Sequence, residues 1–581
     1  GGASRAVGQN SNYVNKHTET YTFAPRLEFN SGNLSLEVKG VYSTSQNLYN
    51  TTGDGLVYSA VVNGLTNIDF TATRSGYDTA DWKITQTSGP DWTDLSNYLN
   101  PRAGGFFRRI VDERISGQVD ATYRTKIRIP LILKSGFKVQ QQIHDQQQLL
   151  NSFLSWNYIG PGGGPTGSWA AYPSAHKFDQ GKTGAEFFSI TGGGAPTWAS
   201  PQAVGALLKD HPEYFSSITP TTANYYAGRV SGPSYYTETM PSGYAMATTR
   251  IGRFQFQSGL RWEETNTAAK EVSPRTRSEI LAAGFTVDAS GRATTNEGID
   301  YQYLSKPRVW RKASYENYYP SVSGKYAITE SLTFQAGFNK AISRPFFNSL
   351  AGVWNVNEDT LVVQAQNPGL LPELSNNYST RLAYYFEPAG TISVGLFQND
   401  ITNLRETTQF TAEEFGYGDD PIYKDYTFVT QKNGAGSRRF RGMEIEYNQH
   451  LSFLPGLLKG FNVSGSYVRN YASERRQGLV PHRVTGGIGY RFRGLNLRLS
   501  TVWTDDTPWT SNVRRYRPMK TTYDLSGGFQ FSRRHSVVFS GRNITNEPHI
   551  QYDRIVGASR PVMVSYGQYG TAWTFGIKGT F

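Results

Sequence analysis

Apolar and polar residues alternate with period two along most of this chain. From Asn33 to Ser43, Leu34, Leu36, Val38 and Tyr42 fall on one side, and Ser35, Glu37, Lys39 and Ser43 on the other. From Arg253 to Glu263, Phe254, Phe256, Leu260 and Trp262 oppose Gln255, Gln257, Arg261 and Glu263. The same division separates Leu332, Phe334, Ala336 and Phe338 from Thr333, Gln335 and Asn339. Near the end, Trp573, Phe575, Ile577 and Phe581 oppose Thr574, Lys578 and Thr580. Successive side chains on a strand point to opposite faces, so each segment predicts a strand with one greasy and one wet face.

A soluble sandwich turns its greasy faces inward. A membrane-spanning barrel turns them outward to lipid and lines its bore with the polar ones. Three features favour the barrel. The segments reach about 10 residues or more, against about 5–6 for strands of soluble proteins. Aromatics gather at segment ends, where an interfacial girdle sits. Connections also alternate in length. Short ones fall at Ser31-Gly32-Asn33, Thr329-Glu330-Ser331, Glu387-Pro388-Ala389-Gly390, Arg493-Gly494 and Ser532-Arg533-Arg534-His535. Between them lie polar stretches near 76–115, 146–239, 267–312, 344–374, 403–438, 505–519 and 546–566. The longest is expected to hold a small helix at Pro201 to Ser217, and another is expected near Arg277 to Ala283.

The expected fold is all-β: a transmembrane antiparallel β-barrel with about 19 strands in this chain. The earliest are placed near 20–30, 33–44, 56–63 and 66–75, the last near 569–581. An odd count puts the two ends of the ladder in the same direction. Bacterial single-chain barrels have even counts, so three further strands before Gly1 are expected to complete about 22.

Composition removes the competing classes. Only 38% of residues are hydrophobic, and no stretch approaches the roughly 20 apolar residues of a spanning helix. There is no Cys, hence no disulfide framework and no thiolate metal site. Aromatic residues make up 14%, too many for a disordered chain. The net charge of +12 is spread without a dense Lys/Arg tract, so no nucleic-acid footprint emerges.

Several segments, taken in order, carry a family resemblance. Tyr319-Pro320-Ser321-Val322-Ser323-Gly324-Lys325-Tyr326 leads into a strand ending Ser343-Arg344-Pro345. Asn367-Pro368-Gly369-Leu370-Leu371-Pro372-Glu373 follows, then Arg441-Gly442-Met443-Glu444-Ile445-Glu446, Leu454-Pro455-Gly456, Val480-Pro481-His482-Arg483 and Gly541-Arg542-Asn543-Ile544-Thr545-Asn546. Together they resemble the TonB-dependent outer-membrane receptor family, well over 313–581 and moderately over 116–145 and 240–266. The resemblance implies active uptake of a bulky, scarce solute across the outer membrane of a Gram-negative bacterium. It implies a plug domain in the lumen and a short TonB box, neither of which is found in this chain. The whole of 1–581 then reads as barrel, with plug and first strands before it. It implies that Phe581 resembles the residue read by the barrel-assembly machinery, and that wall charges such as Glu444, Glu446, Arg261 and Glu263 meet the plug. The cargo is open among siderophore, vitamin and oligosaccharide. A passive porin-like channel, and a surface protein whose loops bind partner proteins, are the alternatives.

Chemistry-bearing clusters are few. No zincin, nucleophile-elbow or Walker pattern occurs, so neither an enzyme nor a cofactor is expected. Gly160-Pro161-Gly162-Gly163-Gly164-Pro165 lacks the Lys-Ser/Thr of a phosphate loop, and Ser174, His176 and Asp179 read as a loop coincidence. Phe153, Trp156 and Tyr158 suit stacking on a sugar or aromatic ligand, or packing among loops. Glu413, Glu414, Asp419 and Asp420 offer hard oxygen ligands for Ca²⁺, or a solvated loop. Arg438, Arg439 and Arg441, with Arg514, Arg515 and Arg517, suit the phosphates of lipopolysaccharide, or ordinary charged loops.

Overall fold

The protein is described by a computed structural model. It describes residues 6–579 apart from 77–78, 80, 126, 149–153, 163–174, 178–187, 192–196, 351, 353, 358–359, 368, 417, 420–422, 473–474 and 510–513. One antiparallel ladder dominates. Its first strand, β1, is Lys16–Phe23 followed by Arg26–Ser31, both laid along Leu34–Asn50 (β2). Pro25, which has no N–H to give a ladder, sits at the break between the two halves, and its carbonyl accepts from the Gly40 N–H at 3.0 Å.

The ladder continues through β3 (Phe107–Arg124), β4 (Leu131–Gln147), β5 (Ser234–Ile251) and β6 (Phe254–Glu271). Next come β7 (Val309–Ala327), β8 (Leu332–Ser343), β9 (Glu373–Phe386), β10 (Gly390–Thr402) and β11 (Arg438–His450). It ends with β12 (Phe461–Ala472), β13 (His482–Phe492), β14 (Leu495–Thr504), β15 (Lys520–Gln530), β16 (His535–Arg542) and β17 (Ala572–Gly579).

The described residues thus give seventeen wall strands rather than nineteen. The stretches 56–63 and 66–75 are the difference. Ser59–Leu65 and Asp69–Thr73 belong to small sheets outside the wall: the first turns Ala60, Val62 and Leu65 into a loop core instead of toward lipid, and the second pairs with Trp82–Ser88 as an exposed strand. Two strands fewer leaves the count odd. β1 and β17 pair on one side only among the described residues, and both are exposed along their length.

Register shows what the alternation is for. Phe334, Leu382, Val394, Ile445, Tyr467, Val484 and Trp503 are consecutive direct partners across β8–β14, so they share one face. Phe334, Leu382 and Val394 remain 41%, 43% and 43% exposed, which a soluble protein of this size would not leave in a continuous row. On the opposite face run Gln255, Lys325, Gln335, Arg381, Gly395 and Glu444. The apolar face is the lipid-facing one, and ladder bonding between neighbours satisfies the backbone there. No helix among the described residues is long and apolar enough to cross a membrane.

All eight long connections leave one rim. Those at 51–106 and 148–233 share a hydrophobic core that includes Val57, Val62, Leu65, Tyr98, Val204 and Phe215. Within it the predicted helix appears as α1 (Pro201–Asp210), started by Ser200, whose side chain accepts from the Ala203 N–H. The connection at 272–308 has its own core around Ile280 and Ile299, carried by α2 (Arg277–Ala282) and α3 (Asn296–Leu304). The first of these helices was expected from the sequence; the second, whose buried side mixes Ile299 and Tyr303 with Gln302, was not. A third core joins Trp354, Val363, Tyr426 and Phe428.

Candidate functional site

The candidate site is the mouth where long connections meet the polar face of the wall. Asp112, His144, Tyr236, Glu263 and Ala269 all lie on that face, by the registers of β3–β6. The 344–372 connection folds back over them. Arg344 pairs with Glu263. Phe347 lies 4.7 Å from the His144 ring and 6.0 Å from that of Tyr236. Leu350 and Leu370 close a small core with Tyr236 and Ala269. The Gly352 N–H donates to Glu271 at 3.3 Å, and Glu271 also holds Arg311, whose guanidinium stacks 4.2 Å from Trp354.

The segments noticed in the sequence converge here. Arg405 donates to the Arg344 carbonyl at 3.0 Å and pairs with Glu373 at 3.3 Å. Ser343-Arg344-Pro345 and the segment ending in Glu373 are therefore bound together through one guanidinium. Asn433 ties in Leu371 from both sides, accepting from its N–H and donating to its carbonyl, each at 2.8 Å. Gly442 is small for a local reason: a Cβ there would meet the Phe397 ring at 2.5 Å. Asn543 adopts φ +49° and its side chain bonds the Glu547 backbone twice, fixing the start of the last long connection.

Below the mouth the polar face is a hydrogen-bonded wall. Asp120 is 4% exposed and accepts from Tyr244 at 2.6 Å and Gln118 at 2.6 Å. Arg261 pairs with Glu263 at 3.1 Å, and Arg381 pairs with Glu446. Arg261, Glu263, Glu444 and Glu446 thus occupy the polar face, as the alternation predicts. A hollow of about 400 Å³ lies on this face beside Lys325, Arg381, Phe397 and Glu444.

The other residues singled out from sequence fare differently. Tyr158 is 2% exposed and packs edge-on against Phe215, while Trp156 is half-buried against the same core. Their placement matches packing among loops rather than an open stacking surface; Phe153 lies outside the described residues. Glu414 caps its own turn, accepting from the Thr411 N–H at 2.8 Å, and that bond holds its carboxyl below the usual carboxylate range. Glu413 and Asp419 are exposed and Asp420 lies outside the described residues. Among the described residues no group of three or more His, Cys, Asp or Glu is arranged to hold a metal ion.

Arg439 pairs with Asp400 at 2.7 Å. Arg514 and Arg515 share Asp553, at 2.7 and 3.2 Å, so these three guanidiniums already have carboxylate partners. Arg438 is half-buried at the start of β11, and Arg517 lies over the Trp509 ring at 3.6 Å. Ser174, Asp179 and Phe581 lie outside the described residues.

Residues 61–544 match the family described as "TonB dependent receptor-like, beta-barrel". The chain belongs to the TonB-dependent receptor barrel family. No curated protein matches its sequence. Among solved structures, the siderophore receptor PiuA from Acinetobacter baumannii superimposes with a TM-score of 0.53 at 11% identity, covering 98% of this chain and 65% of that one. The ferric-catecholate import receptor Fiu from Escherichia coli K12, in its closed form, gives 0.52 at 12% identity over 98% and 65%. Likeness at such identity concerns the fold. The chain spans 65% of the length of each of these two receptors.

Proposed function

We propose that this chain is the barrel of a receptor in the outer membrane of a Gram-negative bacterium. It takes up a bulky, scarce solute with energy relayed by TonB. The observation that carries this reading is the family match over 61–544, set on a barrel whose long, packed connections all share one rim. Those connections form the outward capture face. The polar wall beneath them accommodates a plug, contributed by a part of the receptor other than residues 1–581. The exposed edges of β1 and β17 are bridged by further strands of the same receptor. No covalent chemistry enters: capture, plug displacement and passage are all non-covalent.

Deleting the gene should abolish uptake of one scarce solute, and deleting tonB in the host should abolish it equally. High ion conductance from the whole receptor in planar bilayers, with uptake indifferent to tonB, favours the passive channel instead and removes this reading.

A further inference from the structure

The polar face of the wall is not chemically uniform. Over β3–β6 it is dense in charge, with Asp112, Arg114, Asp120, Lys138 and Glu263. Over β7–β11 two successive rows of direct partners carry none. The row nearer the long rim is Ser321, Asn339, Asn377, Asn399 and Phe440. The next is Ser323, Gly337, Ser379, Phe397 and Gly442.

Three side-chain amides thus stand side by side on consecutive strands. Stacked amides ordinarily bond one another. Among the described residues these three do not. Asn377 accepts from Ser375 at 2.6 Å, and the amides of Asn339 and Asn399 have no hydrogen-bond partner there. Their donors and acceptors are left for whatever occupies the bore.

The second row walls the hollow of about 400 Å³ on this face. Small-molecule sites measure roughly 300–1,000 Å³. The Phe397 ring lies along the wall, since Gly442 beside it has no Cβ to stand in its place. At the far border Lys325 and Arg381 are balanced by Glu444 and Glu446, with Arg381 paired to Glu446.

An ionic solute needs a countercharge when it leaves water, and the two rows offer none. A polyhydroxyl solute does not. Each hydroxyl both donates and accepts, and a carboxamide answers both from one side chain. The C–H face of a sugar ring packs on an aromatic ring. Neighbouring strands stand about 4.8 Å apart, close to the ring-to-ring repeat of an extended sugar chain, so successive amides can meet successive rings. Contact with a plug alone gives no reason for these rows to lack the charge that β3–β6 carry.

We propose that the two rows are a binding site for an uncharged oligosaccharide. Asn339, Asn377 and Asn399 bond its hydroxyls, and Phe397 lies beneath a ring. This names the solute class of the transport reading and rests on that reading.

The test uses the whole receptor purified in detergent. The probes are maltoheptaose, cellopentaose and a short inulin-type fructan, with oligogalacturonate as the charged arm, and binding is read by saturation-transfer NMR. At least one neutral probe should bind, and oligogalacturonate should not. N339A/N399A should weaken binding of that probe roughly tenfold, and Phe397→Ala should weaken it as well. Lys138→Gln, on the charged sector, should leave it unchanged. No binding by any of the three neutral probes, equal binding of oligogalacturonate, or full binding by both N339A/N399A and F397A overturns the site. TonB dependence is measured separately. Uptake that needs tonB while no neutral probe binds overturns this site and leaves the transport reading standing. Uptake indifferent to tonB removes the transport reading whatever the sugars do.

Discussion

Arg344 forms an ion pair with Glu263, 81 residues earlier in the chain, and so fastens the connection after β8 to the wall strand β6. Both side chains are largely withdrawn from water, at 28% and 12% exposure. Removing either leaves the other charge poorly solvated. Arg344→Ala is expected to weaken closure of the 344–372 segment by about 1–2 kcal/mol, between the values for exposed and buried pairs. Amide hydrogen exchange should then quicken roughly tenfold in that segment and stay unchanged in β12–β16. Unaltered exchange in 344–372 would show that the apolar contacts of Phe347, Leu350 and Leu370 suffice alone.

Asp553 joins the last two long connections by accepting from both Arg514 and Arg515. Those bonds, Arg514 first, hold its carboxyl below the ordinary aspartate value of 3.8. A carboxyl depressed in the folded state stabilises above its unfolded value and loses that contribution as pH falls through its folded value. The protection factor that Asp553 adds around Arg515–Arg517, read as the difference between wild type and Asp553→Asn at each pH, should therefore be constant from neutral pH to about 4. It should vanish only in stronger acid. A difference already lost near neutral pH would show that the Asp553 carboxyl is not held down by its arginines.

Tyr158 anchors the core shared by the two earliest long connections. Truncation to Ala should cost about 3–5 kcal/mol within that unit. The wall should not notice. Protease should cut within 51–106 and 148–233 while β3–β17 stays resistant in detergent. Loss of the whole barrel would mean that this core and the wall fold as one unit.

The lipid-facing assignment has a direct check. Val394→Arg puts a charge on the apolar row of β10 and should lower the stability of the inserted barrel by about 2–4 kcal/mol in vesicles. Ser379→Arg, at an exposed position on the polar face of the neighbouring strand β9, should cost far less. Equal losses, or a larger one at Ser379, would reverse the two faces.

The wall was legible in the sequence because its signal is repetitive. Each strand restates the same alternation, as Phe254–Glu263 and Leu332–Asn339 do, and seventeen wall strands reinforce one another. Ser59–Leu65 misled because a strand over a loop core alternates as a lipid-facing strand does. The mouth was half legible. Arg344 and Glu373 stood out in recurring segments, yet their meeting through Arg405 depends on contacts between distant positions. Tyr158, Arg514 and Arg515 carry the right chemistry for ligands, but whether an aromatic or a guanidinium is free depends on neighbours far along the chain. Asp553 and Phe215 decided those cases.

The connections on the long rim are built around Tyr98, Ile299 and Phe428, each almost wholly withdrawn from water. Most of the ordering entropy of that surface is settled when the protein folds. A visiting molecule meets contours that already exist and forfeits little affinity to freezing them. Because each core is separate, one patch of the rim can change its shape through substitution while its neighbours, and the wall below, keep theirs.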